Sequence, residues 1–113
     1  MAYQTADVLE LMECEAKAGV TSLKVDGGAS ANNLLLEIQA DLLGKPIIRP
    51  RCIETTALGA ANLAGLATGA FSSTADIAAS WKPDHFFEPH IDAEERAAHL
   101  AGWRRAVGRV LTK

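Results

Sequence analysis

Apolar residues recur along this chain at helical spacing and then at strand spacing, in alternation, and that alternation predicts its elements. Over residues 3–17, Val8, Leu11, Met12 and Ala16 fall on one helical stripe, with Asp7, Glu10 and Glu13 between them. Gly19 is the expected stop, because glycine accepts the left-handed conformation that closes a helix. The β-branched run Val20-Thr21-Ser22-Leu23-Lys24-Val25 predicts a short strand, cut off by Asp26-Gly27-Gly28. Ser30 is the expected N-cap of a second helix, whose apolar face carries Leu34, Leu35, Ile38, Leu42 and Leu43. Gly44 and Pro46 close it, and Pro46-Ile47-Ile48-Arg49 reads as a second strand halted by Pro50.

Residues 55–68 are largely Ala, Gly and Leu, with Gly69 as the stop. So little side chain leaves this helix open to close packing on several sides. Residues 71–89 are less regular, with one turn of helix expected near residues 75–79 and an extended piece over residues 85–89. Asp92-Ala93-Glu94-Glu95 fits a capping box, Asp92 capping and Glu95 reaching back. Leu100, Trp103, Val107 and Leu111 form the stripe of the last helix, and Arg104, Arg105, Arg109 and Lys113 complement its negative pole. Helices alternating with strands argue for an α/β fold. Two strands cannot cover these helices, however, since such sheets usually hold about four to six. The expectation is an incomplete sheet, finished by sequence missing here or by another chain.

A length of 113 residues allows one domain, and 49% hydrophobic with 22% charged residues is the balance of a globular protein. A net charge of -3 leaves no basic excess to neutralise phosphates, which argues against a nucleic-acid partner. No apolar run approaches the ~20 residues of a membrane span. The first residues lack the basic-then-apolar layout of a signal peptide. A cytoplasmic protein with no membrane partner is expected, with Cys14 and Cys52 as reduced thiols.

The stretch with candidate chemistry is Val25-Asp26-Gly27-Gly28-Ala29-Ser30-Ala31-Asn32-Asn33. A strand ends in two glycines and a helix begins soon after. A helix start presents backbone donors and a partial positive charge, which suits a phosphate. Glycine lets a ligand lie against the backbone, and Asn32, read as one turn into the helix, offers a donor and an acceptor. The pattern is neither a Walker loop nor the three-glycine dinucleotide fingerprint. A purely structural turn stays open on spacing alone. Asp26, at the strand's C-terminal end, can face a ligand or brace the turn. Glu54 with Thr55-Thr56 reads as a cap rather than a catalytic group. His85, His90 and His99 lack metal-site spacing, so no metal ligands are expected, and no Ser-His-Asp or Cys-His arrangement can be traced.

These segments, with Ala2-Tyr3-Gln4-Thr5, Gln39-Ala40-Asp41-Leu42-Leu43-Gly44, Glu54-Thr55-Thr56-Ala57-Leu58-Gly59-Ala60-Ala61 and Ala101-Gly102-Trp103, resemble the C-terminal part of the FGGY family of carbohydrate kinases. The Ala-Tyr-Gln-Thr opening and the Asn-Asn pair point to its glycerol branch. The resemblance implies that residues 1–113 are part of an actin-like ATPase (ribonuclease H-like) domain, the nucleotide-binding C-terminal one. It implies an ATP substrate with Mg2+ and transfer of the γ-phosphoryl group to a polyol hydroxyl. By resemblance, Gly28 and Asn32 match the nucleotide-contacting glycine and asparagine, and Gly27 is the neighbouring glycine. No catalytic residue carries over, because the first domain, the polyol pocket, the aspartate base and the first phosphate loop have no counterpart here. Expected partners are ATP or ADP and the remaining N-terminal part of the kinase, or another copy of this chain. The chain alone is expected to be inactive. The alternatives are a stand-alone nucleotide-binding or interaction module and, more distantly, an α/β phosphosugar binder with a coincidental turn.

Overall fold

A computed structural model describes residues 1–111; Lys113 of the terminal basic group lies outside the described residues. The order is α1 (Ala2–Ala16), β1 (Leu23–Lys24), a 3-10 turn (Gly28–Ala31), α2 (Asn33–Leu43), β2 (Ile47–Pro50), α3 (Thr55–Thr68), α4 (Thr74–Ser80), β3 (Pro83–Phe87) and α5 (Ala93–Leu111). β1 and β2 run parallel, with Leu23 opposite Ile47, so α2 is the crossover of a βαβ unit. The N–H of Val25 donates to Ile48 O at 3.1 Å, which carries the pairing on toward the glycines.

The sheet has three strands in the order β1-β2-β3, one more than the sequence pattern yields. The extended piece of the sequence reading is β3, antiparallel to β2, with Phe87 opposite Ile47. Only its last residue is buried, so the alternation that marks a half-buried strand is missing from Pro83–Phe87. Leu36, Ala40, Ile47 and Phe87 form the core, with Leu23, Val25 and Leu43 packed against them. α2 therefore covers one face of the sheet through Leu36 and Ala40. Leu34 and Ile38, expected on its apolar face, are exposed, because the face toward the sheet is the one through Leu36, Ala40 and Leu43.

α1 differs from expectation in the same way. It buries Ala2, Ala6 and Leu9, while Val8, Leu11 and Met12 are exposed. Its terminator is Lys17, at φ 51°, not Gly19; Gly27, Gly44 and Gly69 are the positive-φ glycines among the described residues. α5 lies across α1: Tyr3 and Trp103 stack with ring centroids 5.3 Å apart, and Trp103 Nε1 donates to Asp7 Oδ2 at 2.7 Å. Arg104 pairs with Glu10 at 2.9 Å, so this cation serves a neighbouring helix rather than the helix end. Asp92 caps α5 as expected, accepting from Glu95 N–H at 2.8 Å, whereas the Glu95 carboxylate lies 3.8 Å from His99 Nε2.

α3 keeps its expected bounds and ends at Gly69, yet none of its residues is buried. The surface that its small side chains leave open to close packing is uncovered among the described residues. The accessible surface is 7750 Å², against about 6000 Å² for a compact monomer of this mass. The radius of gyration is 17.5 Å, where about 13 Å is usual for this length.

Candidate functional site

The glycine turn stands at the C-terminal end of β1, the ligand side of a parallel strand pair. Gly27 has φ 84° and ψ 170°, a backbone geometry that side chains resist. Its N–H donates to Ile53 O at 2.8 Å, tying the turn to the segment before α3. Its carbonyl accepts from Ser30 N–H at 3.0 Å and from the Ser30 hydroxyl at 2.6 Å. Ser30 is thus buried in the turn as a brace. It is not the cap of α2.

The cap is Asn32, whose Oδ1 accepts from Leu35 N–H at 3.2 Å. The 3-10 turn Gly28–Ala31 takes in Ser30 and Ala31, where the sequence reading starts the helix, which moves α2 forward and puts Asn32 at its threshold. The acceptor function of its side chain is therefore engaged. Its amide NH2 has no partner among the described residues, and the residue is exposed. Gly28 opens the 3-10 turn with ordinary φ, and a Cβ built there meets nothing within 4 Å. Gly28 and Asn32 are four residues apart on one short turn, an open backbone surface beside an uncommitted amide.

Asp26 accepts a hydrogen bond from the Thr55 hydroxyl, which joins the end of β1 to the first residue of α3. Of its two open readings, bracing the turn is the one with a partner in this chain. Glu54 sits at the N-cap position of α3 without a side-chain cap bond, so the expected capping role has no bond behind it. Cys14 and Cys52 are both free and exposed. Among the described residues, no three of His, Cys, Asp and Glu converge to hold a metal ion. None of their helices is long and apolar enough to cross a membrane.

A cavity of about 450 Å³ opens between β1, α3 and α4, lined in part by Lys24, Thr55, Leu58, Trp81 and Lys82. The Lys24 ammonium lies 4.3 Å from the centre of the Trp81 ring. The sequence reading missed Arg49, which reaches from β2 to the turn and holds Asn33 Oδ1 at 2.7 Å. The one signal available was a cation inside a strand of Ile and Pro.

A βαβ unit with an open glycine turn at the C-terminal end of β1 defines an α/β domain with that turn on the ligand side of its sheet. Residues 1–68 match the C-terminal domain of the FGGY family of carbohydrate kinases, and the chain belongs to that family. It is 56% identical over 109 residues to the glycerol kinase of Symbiobacterium thermophilum and 51% identical over 109 residues to that of Deinococcus radiodurans. Each alignment takes in 96% of this chain and 22% of the relative, so the chain spans about a fifth of the curated relatives it matches, as a C-terminal portion. A crystal structure of Plasmodium falciparum glycerol kinase with ADP superposes with a TM-score of 0.84 over 99% of this chain and 22% of that one, at 25% identity. A ligand-bound xylulose kinase from Lactobacillus acidophilus shares the fold, with a TM-score of 0.61 at 18% identity over 80% of this chain and 18% of that one. The expected partial actin-like domain is borne out by these neighbours.

Proposed function

We propose that residues 1–113 are one wall of the nucleotide site of a glycerol kinase, which in its complete form transfers the γ-phosphoryl group of ATP to glycerol. The observation that carries this reading is the Gly28–Asn32 turn: open space over Gly28 and an Asn32 NH2 with no partner among the described residues, at the C-terminal end of a parallel strand. In this reading the nucleotide lies against Gly28, with Gly27 holding the bend, and the Asn32 NH2 donates to it. Phosphoryl transfer needs positioning and charge stabilisation from both sides of a cleft. This chain offers one side. Mg2+ accompanies the ATP phosphates; the chain has no convergent ligand set for it among the described residues. The partner is the remaining N-terminal part of the kinase, and the reading implies a cytoplasmic enzyme.

The test is Gly28→Val in the complete kinase, with Michaelis constants for ATP and glycerol measured beside the melting temperature. Gly28 has no positive φ and no neighbour to strike, so the fold should survive. The expected result is a KM for ATP raised about tenfold or more, with the glycerol constant near wild type. Unchanged constants with a lowered melting temperature would reduce the turn to scaffold.

A further inference from the structure

The guanidinium of Arg49 gathers the segment that carries Gly28 and Asn32. Its Nη1 donates to Ser30 O at 3.1 Å and to Asn33 Oδ1 at 2.7 Å, with Ala31 O at 3.4 Å. Nε and Nη2 both reach Asp84 Oδ2, at 3.0 Å and 2.9 Å. The ring of Phe87, part of the core, lies 5.3 Å from the guanidinium carbon. The Arg49 side chain is 14% exposed, against 47% for Asp84. Its acceptors on the turn belong to residues 30, 31 and 33, which bracket Asn32 on both sides.

A 3-10 turn of four residues has poor internal hydrogen-bond geometry, so it needs to be held from outside. Arginine suits the task because its donors are fixed in one plane and can serve two carbonyls, an amide and a carboxylate together. A lysine ammonium at the same place can satisfy one side or the other. The Asp84 carboxylate binds the far edge of the fork and fixes its rotation.

We propose that Arg49, oriented by Asp84, is a positioning residue for the nucleotide: it sets where the Gly28–Asn32 segment stands relative to the sheet. The inference rests on the reading of that segment as the nucleotide wall. Arg49 acts through Asn33 and the turn carbonyls, and Asp84 acts through Arg49.

The experiment uses the complete kinase and measures the KM for ATP, the KM for glycerol, kcat and the melting temperature. The variants are Arg49→Met, Arg49→Lys, Asp84→Asn, the Arg49→Met/Asp84→Asn double and Gly28→Val. Loss of the fork should raise the KM for ATP about tenfold, leaving the glycerol constant within about twofold. Arg49→Lys should fall between wild type and Arg49→Met, Asp84→Asn should give a smaller rise, and the double should match Arg49→Met alone. A rise for Gly28→Val with none for the Arg49 and Asp84 variants overturns this inference and leaves the nucleotide wall standing. If Gly28→Val is also silent, the wall itself is misassigned and both readings fall. Should Arg49→Met fail to fold, Arg49→Lys and Asp84→Asn retain the cation and decide the same question.

Discussion

Asn32 has two jobs that different substitutions separate. Its Oδ1 caps α2 through Leu35 N–H, and its NH2 is the group proposed to donate to the nucleotide. Asn32→Ala removes both, so a loss of about 1 kcal/mol of stability is expected together with weaker ATP binding. Asn32→Asp keeps a capping oxygen at a helix start, where a negative charge is favourable, but has no donor and adds charge beside a phosphate ligand. Its melting temperature should stay near wild type while the KM for ATP rises; equal ATP constants for the two proteins would remove Asn32 from the site. Gly27 and Gly44 differ from Gly28 at this scale. Gly27 has φ +84°, and Gly44 has φ +64° with the Arg96 guanidinium carbon 2.6 Å from where a Cβ would stand. Gly44→Ala should therefore destabilise the kinase by roughly 1–3 kcal/mol without touching either Michaelis constant, since Arg96 there holds Asp41 O at 2.6 Å and Ile91 O at 3.2 Å. Thermal melts and steady-state kinetics on the same preparation check this.

At the scale of elements, the helices and the first two strands were legible because caps and stops are local: Gly44, Gly69 and Asp92 all act where their neighbours predict. Faces were less legible. Val8, Leu11 and Met12 are more apolar than Ala2 and Ala6, so periodicity alone chooses the larger stripe, yet the small residues, with Leu9, are the ones α1 buries. β3 was legible only as an extended piece, since its exposed residues carry no alternation and its pairing is with distant β2. The glycine turn could be read from its residues, whereas Arg49 is separated from its partners by sixteen residues or more. The contact of α1 with the loop after it carries a pH prediction. The Glu13 carboxylate accepts from Val20 N–H at 2.7 Å and lies 2.8 Å from Lys45 Nζ. The Lys45 hydrogen bond first, and the Val20 N–H second, hold the Glu13 carboxyl below its ordinary value. A depressed folded pKa means a contribution that is present above the ordinary carboxylate range, near 4.3 for Glu, and lost as pH falls through the folded pKa. Glu13→Gln should therefore narrow the gap between neutral and acid melting temperatures, read from melts between about pH 7 and pH 3.

The whole molecule is an open structure, and large apolar side chains are exposed on it. Val8, Leu11 and Met12 on α1, Leu34 and Ile38 on α2, and Leu58 and Leu63 on α3 are all exposed. These patches lie on three helices of a chain that spans 22% of the relatives it matches. If the chain is part of the proposed enzyme, the remaining four-fifths should supply their cover. The chain by itself should then bind a dye specific for exposed apolar surface, melt broadly and associate. It should also fail to phosphorylate glycerol in a coupled assay. Light scattering after gel filtration reads the association directly. Replacing Val8 and Leu11 with lysine tests whether the exposed stripe is responsible, since lysine favours helices and keeps α1 intact. In the isolated chain the double substitution should reduce association without lowering helix content. In the complete kinase the same pair should destabilise, because two ammonium groups would then be forced into a covered, apolar face. A sharp two-state melt of a monomeric 113-residue chain, unaltered by Val8→Lys and Leu11→Lys, would show instead that this stripe is an ordinary solvated surface.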